Sequence, residues 1–338
     1  MSILKALQKK QIEDPNAVDL FAAANVVAFD KSDRSANQPP ELFTQPDFRI
    51  GNPGSTFIGQ PNSLIGTALP DSKTGLTAGA NLNVDSSTRS VVKPLPDFVT
   101  WSVDAERVEP RLVAITHPQS SYCEEYRSLR THVLHKSQRQ KLQAIVVASV
   151  NPSEGKSVTA LNLAWLLAQT DGIKCLVIDS DLRMPSLTDY MGIEADKGLS
   201  DILTGDTSLK ESIIRLEPAG LHILPGGVAR TDVAELISGP KFKEILREAR
   251  EMFDFVIIDA PPLGIFTDAT VLINQADAAM LVVRANRTKY ASLDRVLEQL
   301  PKDRILGVVL NQCEDVQDES HYNYGYYNYN RLTEGVNP

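Results

Sequence analysis

The sequence predicts an α/β fold in which helices cover both faces of a mostly parallel β-sheet. Three observations support this prediction. Short, nearly continuous apolar runs alternate with longer amphipathic segments over residues 111–315 of the 338-residue chain. Such runs are typical of parallel strands that are buried on both faces. A Gly-Lys-Ser loop follows the first apolar run, and acidic residues directly follow two later runs.

The elements can be assigned in order from these patterns. The predicted strands are 144–150, 175–178, 222–224, 255–258, 278–283 and 305–310. The predicted helices are 122–136, 157–169, 199–203, 233–252, 267–275 and 291–300. The first helix has its own start signal, since Ser121 and Glu124 have the spacing of a capping box and Tyr126 and Leu129 continue at helical spacing.

The segment before this domain has a different composition. Residues 33–97 are rich in Pro, Ser, Thr, Asn and Gly, and such a segment buries too little apolar surface to offset its ordering entropy. We therefore expect residues 1–110 to be a largely disordered extension, with order beginning near Arg111. Within it, a short amphipathic helix is predicted at 2–11 and a second short helix at 18–29.

Charge and composition exclude several classes of protein. The net charge of −9 argues against a nucleic-acid surface, which would need a clustered basic footprint. The three cysteines lack the paired spacing of a metal site, and a reduced, cytoplasmic protein is expected. The sequence has no apolar run of 18 residues, so the chain itself is not predicted to span a membrane.

The Gly-Lys-Ser loop has the context of a P-loop, because it lies between a predicted strand and a predicted helix. Backbone N–H groups at the helix start can hold phosphates, Lys156 can reach the outer ones, and the Ser157 hydroxyl can bind Mg²⁺. The fold prediction is therefore a P-loop NTPase domain. Two residues depart from the usual P-loop pattern. Val150 stands where the pattern has its first glycine, and Ser153 stands at a loop position where glycine is common.

Three acidic residues follow predicted strands. Asp179 and Asp181 come after one strand and Asp259 after another. Ligands bind at the carboxyl edge of such sheets, so the three carboxylates are expected to converge on a metal beside the P-loop. Mg²⁺ prefers oxygen ligands. The alternative is that these residues cap helices or turns.

Five of the nine tyrosines lie close together near the end of the chain. The five are Tyr322, Tyr324, Tyr326, Tyr327 and Tyr329. The residues between them give neither strand alternation nor helical spacing, so 316–338 is predicted to be a flexible, exposed tail. Such a tail is either an adhesive segment without chemistry or a phosphorylation substrate, and the P-loop favours the second interpretation.

Together these features resemble the bacterial tyrosine autokinases associated with capsule and exopolysaccharide synthesis. The resemblance covers about residues 120–329. The matching pieces are Glu124-x-x-Arg127-x-x-Arg130, Glu154-Gly155-Lys156-Ser157, Val177-Ile178-Asp179-Ser180-Asp181-Leu182-Arg183-Met184-Pro185, Phe255-Val256-Ile257-Ile258-Asp259-Ala260-Pro261-Pro262, Asp268-Ala269 and the tyrosine tail.

The resemblance implies an ATP-dependent protein-tyrosine kinase that phosphorylates its own tail in trans. It implies catalytic roles for Lys156, Asp179 and Asp181, with one of the two aspartates accepting or orienting the tyrosine proton. Ser157, Asp181 and Asp259 are the expected Mg²⁺ ligands. The residues expected to contact ATP are Glu154, Gly155, Lys156, Ser157, Val158 and Asn311. A turn-forming role for Asn311 is equally consistent, and Thr288 is interpreted as a helix cap.

The resemblance also implies partners. Glu124, Arg127 and Arg130 match the self-association motif of the family, although an ordinary solvated helix face would give the same spacing. The expected partners are further copies of the chain, a separate transmembrane activator acting as polysaccharide co-polymerase, and a phosphotyrosine phosphatase. Recruitment to the inner face of the cell membrane follows from such an activator.

Two other functions remain open at this point. A positioning ATPase of the septum-site or plasmid-partition kind shares the fold, but Asn151 stands where those proteins have a lysine. An ATP-binding adaptor without transfer activity would also fit the altered loop. Residues 231–237 differ from the Asn-Pro segment that is frequent in the family, and this loop is expected to have a structural role at a subunit contact.

Overall fold

The computed structural model describes residues 26–27 and 95–313. The helix predicted at 2–11, the linker up to residue 94 and the tyrosine tail lie outside the described residues. The division of the chain into extension, kinase domain and tail therefore stays a prediction. Within the described residues, no helix is both long enough and apolar enough to cross a membrane.

The described part contains strands and helices in alternation. The strands are β1 (Val26–Val27), β2 (Val99–Ser102), β3 (Ala144–Ser149), β4 (Cys175–Asp179), β5 (Ile214–Glu217), β6 (Leu221–Leu224), β7 (Phe255–Asp259), β8 (Ala278–Arg284) and β9 (Ile305–Asn311). The helices are α1 (Val113–Thr116), α2 (Ser121–Arg139), α3 (Lys156–Ala168), α4 (Leu187–Met191), α5 (Leu199–Thr204), α6 (Leu209–Ser212), α7 (Val233–Ser238), α8 (Pro240–Met252), α9 (Asp268–Gln275) and α10 (Tyr290–Gln299), with a 3₁₀ turn at Lys302–Arg304.

The strands form one sheet in the order β1-β9-β8-β3-β7-β4-β6-β5-β2. Neighbours are parallel except for β5 and β6, which are antiparallel. The predicted fold class is confirmed. The central strands β3, β4 and β7 lie side by side, so their carboxyl ends meet at one edge.

The sheet separates two apolar cores. Along β3, Ala144 and Val146 face one core while Ile145 and Val147 face the other, as expected for the alternating directions of strand side chains. Helices α1, α2 and α3 cover the second core, and α7 to α10 cover the first. Burial on both faces explains why the strands are apolar throughout instead of alternating with polar residues.

One predicted helix is wrong. Residues 233–252 form two helices, α7 and α8, which meet at Gly239 and Pro240. Proline cannot donate a backbone hydrogen bond, and its ring disfavours a helical residue before it. Gly239 has an extended ψ of 165°, and Pro240 is the first residue of the second helix. The apolar pattern runs through both helices and conceals this break.

The predicted helix cap is also wrong by one residue. The N-cap of α2 is Ser120, whose hydroxyl accepts a hydrogen bond of 3.2 Å from the backbone N–H of Cys123. Ser121 is the first helical residue. The capping box expected from Ser121 and Glu124 is therefore not the start signal that the chain uses.

Regular structure also begins earlier than expected. Strand β2 precedes Arg111 and pairs with β5 at the edge of the sheet. Residues 26–27, assigned to a helix from the sequence, form strand β1 beside β9. Both are short edge strands. Three of the four β2 residues are exposed, so β2 has little of the apolar signal that identified the central strands.

Candidate functional site

The predicted acidic residues gather at the carboxyl edge of the sheet. Asp179 ends β4 and Asp259 ends β7, and they are register partners across the two strands. The P-loop leaves β3 on the other side of β7. This arrangement follows from parallel pairing, because equivalent ends of neighbouring strands meet.

A charged cluster forms where the loop enters α3. We define this cluster as Lys156, Ser157, Asp181 and Asp259. The Lys156 Nζ atom lies 3.0 Å from Asp181 Oδ2 and 3.4 Å from Asp259 Oδ2. The Ser157 hydroxyl donates a hydrogen bond of 2.6 Å to the same Asp259 oxygen. The structure thus brings together four predicted site residues from three chain segments.

Burial makes the electrostatics of this cluster strong. Asp259 is fully buried, and burial raises its pKa, while Lys156 and the Ser157 hydroxyl act in the opposite direction. Burial alone would lower the pKa of Lys156, but the carboxylates of Asp259 and Asp181 raise it above its ordinary value. Lys156 therefore stays charged, and its charge lies against an acidic surface in a region of low dielectric.

Asp179 faces a different set of partners. Its Oδ2 accepts hydrogen bonds from the backbone N–H groups of Ser186 and Leu187, at 2.8 and 3.0 Å, at the start of α4. Its Oδ1 accepts a longer one, 3.3 Å, from Asp181 N–H. Burial and the nearby charge of Asp259 raise the pKa of Asp179 to about 7, although the backbone donors oppose this. Asp179 thus accepts hydrogen bonds from backbone N–H groups at the start of a helix, which is the alternative role considered for these aspartates.

The opposite side of the loop is held by a second group of residues. We call Asn151, Glu154, Thr288 and Asn311 the loop clamp. The buried Glu154 carboxylate accepts hydrogen bonds from Asn151 and from the Thr288 hydroxyl. Asn311 donates 2.8 Å to the Glu154 carbonyl oxygen. Thr288 does not cap α10, contrary to its interpretation as a helix cap, because Lys289 is the N-cap.

Two loop positions have positive φ angles. Gly155 has φ 95°, and a Cβ built there would lie 2.0 Å from Asn311 Nδ2. Ser153 has φ 61°, a left-handed conformation that glycine adopts without strain. This explains why glycine is common at that position. Val150 is only 2% exposed and belongs to the core, so its side chain packs instead of facing a ligand.

Val158 and Asn311 are both buried beside the loop. The Val158 side chain packs in the core with α2, which leaves its backbone N–H as the group suited to phosphate. Both polar groups of the Asn311 side chain form hydrogen bonds. Its Nδ2 donates to the Glu154 carbonyl oxygen, and its Oδ1 accepts a hydrogen bond of 2.9 Å from the Gln312 N–H. A base contact by Asn311 stays a prediction.

A further contact was missed by sequence reasoning. Arg183 binds the buried Asp268 carboxylate at 2.7 Å, and its guanidinium lies 4.4 Å from the centre of the Phe266 ring. Arg183 also donates a hydrogen bond of 3.3 Å to the Thr231 carbonyl oxygen. Arg183 and Asp268 lie within motifs that carried the family resemblance, and this was the available signal. Arg183 thereby joins the segment after β4 to the start of α9 and to the loop that contains Thr231.

The predicted self-association residues lie on α2. Arg127 pairs with Glu124 and donates 2.6 Å to the Pro118 carbonyl oxygen. Arg130 is half-buried and donates 3.3 Å to the Leu166 carbonyl oxygen of α3. The two arginines therefore contact their own chain as well as facing outward. Their role in oligomerisation stays a prediction.

The residues fit a magnesium ion only with help from a nucleotide. Among the described residues, no three His, Cys, Asp or Glu side chains are grouped so as to hold a metal. Asp259 Oδ1 is buried and has no hydrogen-bond partner within the described part of the chain. A hydroxyl, one or two carboxylates and phosphate oxygens form the donor set that Mg²⁺ prefers. Ser157, Asp181 and Asp259 are the residues that would supply the protein part of this set, and their role as ligands stays a prediction.

This geometry defines a class of protein: a P-loop domain whose lysine and hydroxyl face carboxylates that follow two adjacent strands. A family model described as an AAA domain matches residues 142–302, a range that contains the loop and both acidic segments.

Individual relatives define the family. Tyrosine-protein kinase YwqD of Bacillus subtilis (strain 168) is 34% identical over 223 residues, which cover 65% of this chain and 92% of that protein. The kinase domain of Escherichia coli tyrosine kinase ETK has a TM-score of 0.59 at 25% identity, over 63% of this chain and 83% of the other. The chimeric protein CapA2B2 has a TM-score of 0.58 at 28% identity, over 64% of this chain and 95% of the other. The chain belongs to the bacterial protein-tyrosine kinases.

Proposed function

We propose that this kinase transfers the γ-phosphoryl group of ATP to the tail tyrosines of another copy of the chain. The observation that carries the proposal is the charged cluster, in which Lys156 and Ser157 meet Asp181 and Asp259 at one edge of the sheet. Phosphoryl transfer depends mainly on alignment and charge stabilisation, and this edge offers both cationic and acidic groups.

Each residue of the cluster has a proposed role. The Lys156 ammonium and the N–H groups at the start of α3 bind the phosphates of ATP. The tyrosine oxygen forms a bond to the γ-phosphorus as the bond to the leaving oxygen of ADP breaks. Asp181 accepts the tyrosine proton. Ser157, Asp181 and Asp259 would hold Mg²⁺, which when bound would supply positive charge to the phosphate oxygens.

The hydrogen bonds favour Asp181 over Asp179 as the proton acceptor. Both Asp179 oxygens accept backbone N–H groups, so this carboxylate is oriented toward α4 and toward its own loop. The Asp181 carboxylate faces Lys156, which is the group expected to contact the phosphates. We therefore assign Asp179 the task of holding the segment that carries Asp181.

Tail phosphorylation would change the charge of the protein strongly. Each phosphotyrosine adds about −1.5 to −2 charges at neutral pH, so five would add roughly −8 to −10. The buried carboxylates of Asp181 and Asp259 make the site acidic, and a charged tail would be repelled from it. Phosphorylation would thereby weaken self-association through the α2 residues Glu124, Arg127 and Arg130.

The cellular context is proposed from the family resemblance. It comprises regulation of exopolysaccharide or capsule synthesis and export, a separate transmembrane activator that recruits the kinase to the inner face of the membrane, and a phosphotyrosine phosphatase. The tail tyrosines Tyr322, Tyr324, Tyr326, Tyr327 and Tyr329 are the proposed phosphorylation sites.

The proposal is tested by incubating the full chain with ATP and Mg²⁺ and locating phosphotyrosine by mass spectrometry. We expect phosphate on the tail of the parent protein and none on Lys156→Met. Lys243→Met is a matched control, because Lys243 lies exposed on α8 away from the loop. This control should be phosphorylated like the parent.

The other possible functions give different outcomes. ATP hydrolysis without tyrosine modification would favour a positioning ATPase. Tight ATP binding with neither hydrolysis nor modification would favour an adaptor. To test transfer in trans, Lys156→Met can be mixed with active parent protein, and its tail should then become phosphorylated. Failure of that mixture, with an active parent, would contradict transfer between copies.

A further inference from the structure

Glu154 is a buried carboxylate that has no role in the charged cluster. It is 3% exposed, and its oxygens accept three hydrogen bonds. Two come from Asn151: the backbone N–H donates 2.9 Å to Oε2, and Nδ2 donates 2.8 Å to Oε1. The third comes from the Thr288 hydroxyl, to Oε1. A buried carboxylate requires such donors, so its position depends on all of them.

Thr288 supplies the donor that is distant in sequence. It lies 134 positions from Glu154, in the loop that follows β8. Strand β8 pairs with β3, so the loop after β8 lies beside the P-loop that follows β3. The Thr288 hydroxyl also accepts 3.0 Å from the backbone N–H of Arg284, the last residue of β8. Thr288 therefore connects the P-loop to the end of a rigid strand.

The carboxylate bridges the P-loop internally. Asn151 begins the loop and Glu154 lies just before Gly155, so the hydrogen bonds between them close the turn that leads into α3. On the following strand, Asn311 donates to the Glu154 carbonyl oxygen. The loop after β8 and the end of β9 thus hold one P-loop residue, and that residue sets the path of the backbone that enters α3.

We propose that Thr288 is a positioning residue for ATP binding: through Glu154 it holds the P-loop in the conformation that receives the phosphates. Thr288 is 7% exposed and its hydroxyl is used by Glu154 and Arg284, so it acts through the loop and does not contact the nucleotide. This inference rests on the proposed function. Its effect should fall on nucleotide binding and leave the chemical step almost unchanged.

The test uses the full chain with Thr288→Val, Thr288→Ala and Thr288→Ser. Valine keeps the shape but removes the hydroxyl, alanine removes it without a branched side chain, and serine retains it. A hydrogen bond to a charged group contributes enough for about a tenfold change in an equilibrium constant. We expect Kd and KM for ATP to rise about tenfold in the valine and alanine variants, with kcat within about twofold of the parent.

Two comparisons separate this role from general stabilisation. Thr288→Ser should bind ATP within about twofold of the parent. Thr204→Val is a matched control, because the Thr204 hydroxyl donates 2.6 Å to the Asp206 carboxylate at the end of α5, in a different part of the chain. It should leave Kd unchanged. Circular dichroism and Tm of every variant establish that the chain is folded.

Four outcomes of the measurement would overturn the inference. Unchanged ATP affinity in both the valine and alanine variants would contradict it, as would equal losses in the valine and serine variants. A loss of kcat with unchanged KM would assign Thr288 to the chemical step instead. A parent protein that does not bind ATP would contradict the proposed function itself, and this inference with it.

Discussion

The two sides of the P-loop use buried carboxylates differently. On the side of the charged cluster, Asp259 binds Lys156 and Ser157 through one oxygen, while Oδ1 has no partner among the described residues. On the side of the loop clamp, both oxygens of Glu154 accept hydrogen bonds from the protein. Both carboxylates are buried in the same small region.

This difference in hydrogen bonding distinguishes a carboxylate that has an oxygen available for a ligand from one whose oxygens both stabilise the fold. A buried polar atom without a partner is costly, and proteins retain such atoms mainly where function requires them. Asp179 lies between the two cases, because its partners are backbone N–H groups although burial and the charge of Asp259 raise its pKa. Three substitutions can test this comparison.

The largest effect is expected at Asp259. Asp259→Asn removes the charge that faces Lys156, and we expect kcat for tyrosine phosphorylation to fall about 10²- to 10³-fold, as for other groups that stabilise charge in the reaction. Phosphotyrosine formation over time measures this effect. Asp254→Asn, at the opposite end of β7, is the control and should retain activity. An active Asp259→Asn protein would remove the distinction between the two sides.

The next effect concerns the loop clamp. Gly155→Ala forces a left-handed alanine, which costs about 1–2 kcal/mol, and places a Cβ against the Asn311 amide. We expect ATP affinity, measured by calorimetry, to fall about tenfold or more. In an Asn311→Ala background the loss should be smaller, because the steric part disappears. Equal losses in both backgrounds would mean that backbone strain alone is responsible.

The smallest effect is a change of stability with pH. The pKa of Asp179 is about 7 in the folded protein and about 3.9 in an unfolded chain. Between these values the folded state binds more protons, so the free energy of unfolding decreases as pH rises, by at most about 1.4 kcal/mol per pH unit from this group. Asp179→Asn should reduce that slope, since an amide does not titrate.

Urea unfolding at several pH values between about 5 and 8 measures the slope for both proteins. The amide oxygen of the asparagine can still accept from Ser186 and Leu187, so α4 should remain folded. If parent and variant have the same slope, another group dominates the pH dependence, and Asp179 behaves like a fully satisfied structural carboxylate.

The central fold and the members of the charged cluster were predictable for a physical reason. Apolar runs such as 175–178 and 255–258 reveal buried strands, and the aspartates that follow them must lie at the carboxyl edge if the strands are parallel. Edge strand β2 was not predictable from the same signal, because most of its residues are exposed.

The individual side-chain contacts could be identified only in the three-dimensional structure. The bond between Thr288 and Glu154 depends on β8 lying beside β3, and the strand order cannot be obtained from local patterns. The same holds for Arg183 and Asp268, which are 85 positions apart. Sequence reasoning also left open whether Asp179 or Asp181 accepts the tyrosine proton, and the contacts of the two carboxylates supply the distinction.

The contacts of Arg183 limit how this kinase can be recombined with its relatives. Arg183 belongs to the segment that carries Asp181, yet it is held by Asp268 at the start of α9 and by the carbonyl oxygen of Thr231. A chimera that exchanges the Asp181 segment alone would separate a guanidinium from a buried carboxylate. Transplanting the acidic segment into another scaffold therefore requires the start of α9, with Asp268, to be transferred with it.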